Sequence, residues 1–185
     1  MKLPVLACLL ALAPLAYRDG AAQTASPYVG QEAGDIKSLS PEEVDGYLSG
    51  KGLGLAKAAE LNGFAGPRHV LELSSDLGLT PEQRDRTAVL FASMQSKASA
   101  LGRSLVEEER NLDYLFASRT VTPALLASSL TRIGSLQSRV RRAHLQTHLA
   151  QVAILTPEQN ARYVQLRGYG SSSAHAGHDT RQPGH

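Results

Sequence analysis

The chain has 185 residues, 42% of them hydrophobic and 19% charged, with six histidines, one cysteine, no tryptophan and a formal charge of only +2. A balance so near neutral leaves no electrostatic footprint for nucleic acid. With aromatics at 5%, a thin helical assembly is expected rather than a thick mixed core.

Residues 1–22 read as a secretory signal peptide. Lys2 supplies the positive charge, residues 3–16 are apolar, and Gly20 and Ala22 are placed for a signal peptidase. The apolar run is too short for a stable membrane anchor. Val5-Leu6-Ala7-Cys8 superficially resembles a lipoprotein cleavage box, but most of the apolar run follows the cysteine. Cleavage after Ala22 removes Cys8, so the mature chain has no disulfide, thiolate metal site or cysteine nucleophile. It also removes two cations and one anion, Lys2, Arg18 and Asp19, leaving +1. The remaining ~160 residues suit one domain.

Residues 23–66 read as a flexible N-terminal segment with a short helix, and the part up to about 39 as disordered. Ser40-Pro41-Glu42-Glu43 is a capping box with proline at the first helical position, starting that helix toward Leu48. The glycines at 50, 52 and 54 read as a flexible connector, since the spacing fits no phosphate-binding loop. Gly66-Pro67 opens a helix through Asp76, which Gly78 closes.

Leu79-Thr80-Pro81-Glu82-Gln83 recurs letter for letter at Leu155-Thr156-Pro157-Glu158-Gln159. Thr80 and Thr156 are helix caps followed by an N1 proline. Gln83 and Gln159 stand three residues on, where the side chain reaches back to the cap amide. The first copy opens a long helix over 81–118, with Phe91, Met94, Ala98, Leu101, Leu105, Leu112 and Leu115 alternating at three and four, as in a coiled coil. Glu108 falls on that stripe, about opposite Arg132, while Glu107 and Glu109 read as exposed. Thr122-Pro123 opens a second long helix to about 154, with Leu126, Leu130, Ile133, Leu136 and Val140 on one face. The short 119–121 connection makes the pair antiparallel. The second copy opens a last helix to about Arg167. A serine-, glycine- and histidine-rich tail, 170–185, follows and reads as disordered. No stretch alternates with period two, so the fold class is all-α: a long antiparallel helical hairpin with short flanking helices. No third long helix exists to bury both faces of the hairpin. One apolar face should be covered by a second subunit or stay open.

Paired Leu-Thr-x-x-Gln motifs bounding a helical hairpin behind a signal peptide resemble the Spy/CpxP family, over residues 67–169. The stretch RAHLQTHLAQVAILTPEQNARYVQLRGY (142–169) is most similar to members described as periplasmic heavy-metal sensors, the ZraP-like proteins. The resemblance implies a periplasmic protein of the envelope stress response that binds unfolded protein clients without ATP. It also implies a homodimer shaped as a cradle, with a periplasmic sensor domain as a further partner and metal-linked biology. It makes Leu79, Thr80, Gln83, Leu155, Thr156 and Gln159 the motif residues.

His144 and His148 lie one helical turn apart on the same face. That spacing can set two imidazoles around one zinc or copper ion. It equally suits two rings that edge the apolar face and hydrogen-bond locally. Across the hairpin lie Lys97 and Met94, and a thioether there would suit copper(I), although methionine is also ordinary core filler. His175, His178 and His185, beside Asp179, can capture divalent ions weakly or remain simply solvated. No Gly-x-Ser-x-Gly, His-Glu-x-x-His or carboxylate pair in a cleft pattern occurs, so no enzyme and no required cofactor are expected. Two functions follow: a periplasmic ATP-independent chaperone, or a periplasmic metal-binding sensor or accessory protein. Mass spectrometry of the exported protein should give a mature chain starting near Gln23; retention of Met1 or lipid on Cys8 would refute the signal reading.

Overall fold

The computed structural model describes residues 26–169. The signal segment with Cys8, and the tail with His175, His178 and His185, lie outside the described residues. Six helices and no strand occur among the described residues: α1 Pro41–Ser49, α2 Lys57–Glu60, α3 Pro67–Glu72, α4 Pro81–Ala117, α5 Pro123–Val152 and α6 Pro157–Leu166. The chain divides into two units, Met1–Glu32 and Ala33–His185. In the first, the described residues form a turn closed by Val29 N–H to the Ser26 carbonyl at 3.1 Å. The rest of the architecture belongs to the second.

Each longer helix starts where its cap chemistry dictates. Ser40, Thr80 and Thr156 close reciprocal capping boxes with Glu43, Gln83 and Gln159, and Thr122 accepts from the Leu125 amide. Proline at N1 follows every one, where its missing N–H leaves nothing unpaired. Arg119 ends the α4 region with a left-handed φ of 57°, and the chain reverses within a few residues. The 37-residue α4 and 30-residue α5 therefore return on each other as the expected hairpin.

Leu101 and Leu105 of α4 pack with Ile133, Leu136 and Val140 of α5 in a mid-hairpin core. Arg132 Nε donates to Glu108 Oε2 at 2.9 Å, the pairing expected from the register. Two details differ. Glu109 is buried rather than exposed, because Ser38 Oγ donates to its Oε2 at 2.8 Å. Leu130 is 52% exposed while Ser129 takes the buried position, so the α5 stripe rotates away from α4 near the turn.

The N-terminal stretch read as flexible lies instead along α4 from Ala33 onward. Ile36 is buried, Lys37 pairs with Asp113 at 3.0 Å and Arg110 with Asp35 at 3.3 Å. Low hydrophobicity hid this strap, because charge pairing and a single isoleucine hold it. α1 then crosses α4. The orphan carbonyls at its end are satisfied by α4 side chains, Ser99 Oγ to Leu48 O at 2.6 Å and Gln95 Nε2 to Ser49 O at 3.3 Å. α3 ends at Glu72, short of the expected Asp76, and the chain continues in turns to Gly78.

α1–α3 thus cover one face of the hairpin. Helical periodicity sets Arg86, Leu90 and Ser93 about half a turn around α4 from Gln95 and Gly102. They face the other side, where with Val89, Ala150 and Ile154 they line a shallow open groove.

The crossing of α1 depends on one missing side chain. A Cβ at Gly102 would sit 2.1 Å from the Tyr47 carbonyl oxygen. Gly102→Ala should therefore destabilise by about 1–3 kcal/mol. Gly134→Ala in α5, where a Cβ meets nothing within 4 Å, should stabilise by about 0.5–1 kcal/mol through helix propensity. Urea unfolding of the two variants should show opposite signs; the same sign would refute the close crossing.

Candidate functional site

The repeated motif forms one composite structure at the end of the hairpin opposite its turn. Gln83 Oε1 accepts from its own cap amide, Thr80 N, at 3.1 Å, and Gln159 Oε1 accepts from Thr156 N at 3.0 Å. Each Nε2 then donates across the molecule to the other glutamine's Oε1, at 2.8 and 3.0 Å. The spare donor capacity goes to chain carbonyls: Gln83 Nε2 to Ile154 O at 3.0 Å, Gln159 Nε2 to Leu77 O at 3.2 Å. Both motif halves therefore have the same partners, in mirrored roles. A primary amide is the one uncharged side chain that can accept from a cap and donate twice elsewhere. Glutamate at these positions would bring two carboxylates together.

Leu79 and Leu155 are buried beside this pair, in a core with Ala65, Val70, Leu77 and Tyr163. The spacing of the motif gave the caps; the hydrogen bonds between its two glutamines were not foreseen.

A second polar cluster adjoins that core. Glu60 Oε1 accepts from the Tyr163 hydroxyl at 2.6 Å, the Tyr169 hydroxyl at 3.0 Å and Arg167 Nε at 3.1 Å. Burial, and then the Glu60 hydrogen bond, push the Tyr163 hydroxyl above its ordinary pKa, so it stays a donor. Sequence reasoning missed this cluster, because Glu60 lies alone in a short alanine- and leucine-rich run.

His144 and His148 do share a face of α5, and both are buried, at 5% and 8% exposure. They lie inside rather than on the flank of the apolar stripe, because the strand of chain around 50–69 covers them. His148 Nδ1 donates to the Phe64 carbonyl at 2.8 Å, which leaves its Nε2 as the lone-pair nitrogen. His144 Nε2 is buried without a hydrogen-bond partner. Burial, helped by the neighbouring His148, lowers its pKa, so the ring is neutral. Both rings line a cavity of about 280 Å³ whose walls include Met94 and Phe91. Lys97 does not line it. Among the described residues no three His, Cys, Asp or Glu side chains come together as a metal-binding group.

The sequence pattern that defines LTXXQ motif family proteins matches residues 66–167, more than half of the chain. The chain belongs to the LTXXQ motif family. This is the domain of the Spy/CpxP family, whose members are typically periplasmic, so the protein is a Spy/CpxP-like one. Neither the curated proteins nor the solved structures give a match to it. No helix of the described residues is long and apolar enough to cross a membrane. The matched residues begin at Gly66, beside His148, and end at Arg167 of the Glu60 cluster, so the LTXXQ domain contains the paired glutamines, the hairpin and the buried histidines.

The glutamine pair should be energetically coupled. In a double-mutant cycle of Gln83→Ala and Gln159→Ala, followed by urea unfolding, the coupling should be about 0.5–3 kcal/mol. Strict additivity would mean that the two amides contribute only as separate caps.

Proposed function

We propose that this protein is a periplasmic chaperone that binds unfolded or misfolded clients without ATP, on the hairpin face that α1–α3 leave open. The observation that carries the reading is the open apolar groove on that face. Val89, 71% exposed, lies in it, and Leu149, 59% exposed, stands beside its Ala150 wall. A separate set of exposed apolar side chains stands at the hairpin turn, at Tyr114, Phe116, Leu125 and Leu130. Arg139 and Arg142, on the Ala150 and Leu149 side of α5 by helical periodicity, are exposed and take part in no ion pair among the described residues. Apolar positions flanked by unpaired cations suit weak capture of chain segments that are apolar and acidic, with little demand on sequence.

Family membership supports this reading, as does a fold whose polar networks are committed to structure. A homodimer would set two such faces into a cradle, and a periplasmic sensor domain is the further partner that the resemblance implies. A metal-linked role is the second reading. What favours it is the unpartnered His144 Nε2 at the cavity, on the opposite side of the hairpin from the groove.

Val89→Glu/Leu149→Glu should abolish suppression of client aggregation, while far-UV circular dichroism stays that of the wild type, since both positions are exposed. Light scattering of a reduced or heat-unfolded model client gives the readout. Failure of the wild type, at stoichiometric excess, to delay aggregation of any unfolded client would overturn the chaperone reading.

A further inference from the structure

The cavity beneath the 50–54 loop holds a donor set that the client-binding reading does not use. Two cross-hairpin contacts fix the register there: Arg132 with Glu108 and Gln151 with Thr87. Interpolating between them puts Met94 level with His144, and both line the cavity together with His148. His144 is nearly fully buried with an unsatisfied Nε2. A buried polar atom left unpaired costs about 1–3 kcal/mol. Its persistence at a cavity wall points to a ligand.

The His148 ring narrows the kind of ligand. Its Nδ1–H is spent on the Phe64 carbonyl, the arrangement by which an outer carbonyl orients a metal-bound imidazole. The remaining Nε2 lone pair lies beside Gly66, where even a Cβ would come within 3.2 Å. A lone pair aimed at the site repels an anion and accepts a cation or a proton.

The surroundings narrow the metal. Zinc takes four ligands and borderline or hard donors. No third His, Cys, Asp or Glu joins the pair among the described residues. The one carboxylate lining the cavity, Glu60, gives its Oε1 to Tyr163, Tyr169 and Arg167, and its Oε2 lies 3.8 Å from His148 Nδ1; even with that oxygen the cavity offers fewer hard or borderline donors than the four that zinc takes. Lys51, Lys57 and Arg68 also line it, and its floor includes Phe91 and Leu53. Such a site disfavours a doubly charged, strongly hydrated ion. It suits a soft monovalent ion that accepts few ligands, including a thioether.

We propose that the cavity binds one copper(I) ion, ligated by Nε2 of His144, Nε2 of His148 and the Met94 thioether. This rests on the metal-linked second reading and names its ion. The test is anaerobic titration of the full chain carrying His175→Ala/His178→Ala/His185→Ala, which removes the tail imidazoles. Copper(I) is measured against bicinchoninate and zinc against a chromophoric chelator. One copper(I) per chain should bind more tightly than zinc. Met94→Leu, close in volume, should weaken copper(I) at least about tenfold while leaving helicity and zinc binding unchanged. His144→Ala/His148→Ala should abolish the site. X-ray absorption of the loaded protein should show nitrogen and sulfur scatterers, a readout that stands even if the histidine variant unfolds. Unchanged copper(I) affinity in Met94→Leu, with no sulfur scatterer, would overturn the assignment. Zinc bound in preference by the histidine pair would overturn copper but retain the metal reading. No metal bound at all would remove both.

Discussion

The end of the hairpin opposite its turn is tied together by a pair of glutamine amides that serve two helix starts at once. Each amide caps its own helix with its oxygen and reaches the other helix with its nitrogen. Helix N-termini repel one another, since both carry positive dipole ends and unsatisfied N–H groups. Here α4 and α6 begin side by side, and the amides hold that arrangement without adding charge. Their remaining bonds go to the Ile154 and Leu77 carbonyls, which sit just before the two motif threonines. The approach and the start of each helix are therefore fixed by the other. Leu79 and Leu155 then have only one place to go, the shared core with Val70 and Tyr163.

What lies above that end follows from it. With α6 fixed against α4, Tyr163 points into the core and its hydroxyl meets both the Gly66 amide and Glu60. Glu60 brings the chain before α3 over α5, and that chain buries His148 through the Phe64 carbonyl. The buried histidines are thus a consequence of the paired glutamines, three contacts removed. Gly66 is required at this step, because a side chain there would strike the His148 ring.

Much of the fold was legible in the sequence, because its helices announce themselves locally. Ser40, Thr80, Thr122 and Thr156 each precede a proline, and all four cap a helix in the structure. Periodicity gave Leu101, Leu105, Ile133 and Val140 as core and Arg132 opposite Glu108, since a short turn forces the antiparallel register. What was not legible depends on contacts distant in sequence. Nothing local distinguishes Glu60, in a run of alanines, as an acceptor for two tyrosines. Nothing local tells Glu109 from Glu107 until Ser38 arrives. The strap around Ile36 has the composition of a disordered segment, and its ion pairs to Asp113 and Arg110, the buried Ile36 and the Ser38–Glu109 hydrogen bond order it. The i, i+4 spacing put His144 and His148 on one face, but their burial required knowing what the 50–69 stretch covers.

The one-sided covering of the hairpin also bears on how tightly its open face can hold anything. α1 reaches the backbone of α4 at Gly102, so the covered face is closed by close packing. The open face offers few large apolar side chains, chiefly Val89 and Leu149, each contributing about 1.5–3 kcal/mol if fully buried. Association itself costs at least about 4 kcal/mol in lost freedom, before any ordering of the client. The surplus is small, even with help from Arg139 and Arg142. In the proposed client-binding role, a surface so limited would capture an unfolded segment only while that segment exposes apolar groups, and would lose it once they are buried by folding. Release would then need no nucleotide, in keeping with a sequence that shows no nucleotide-binding motif.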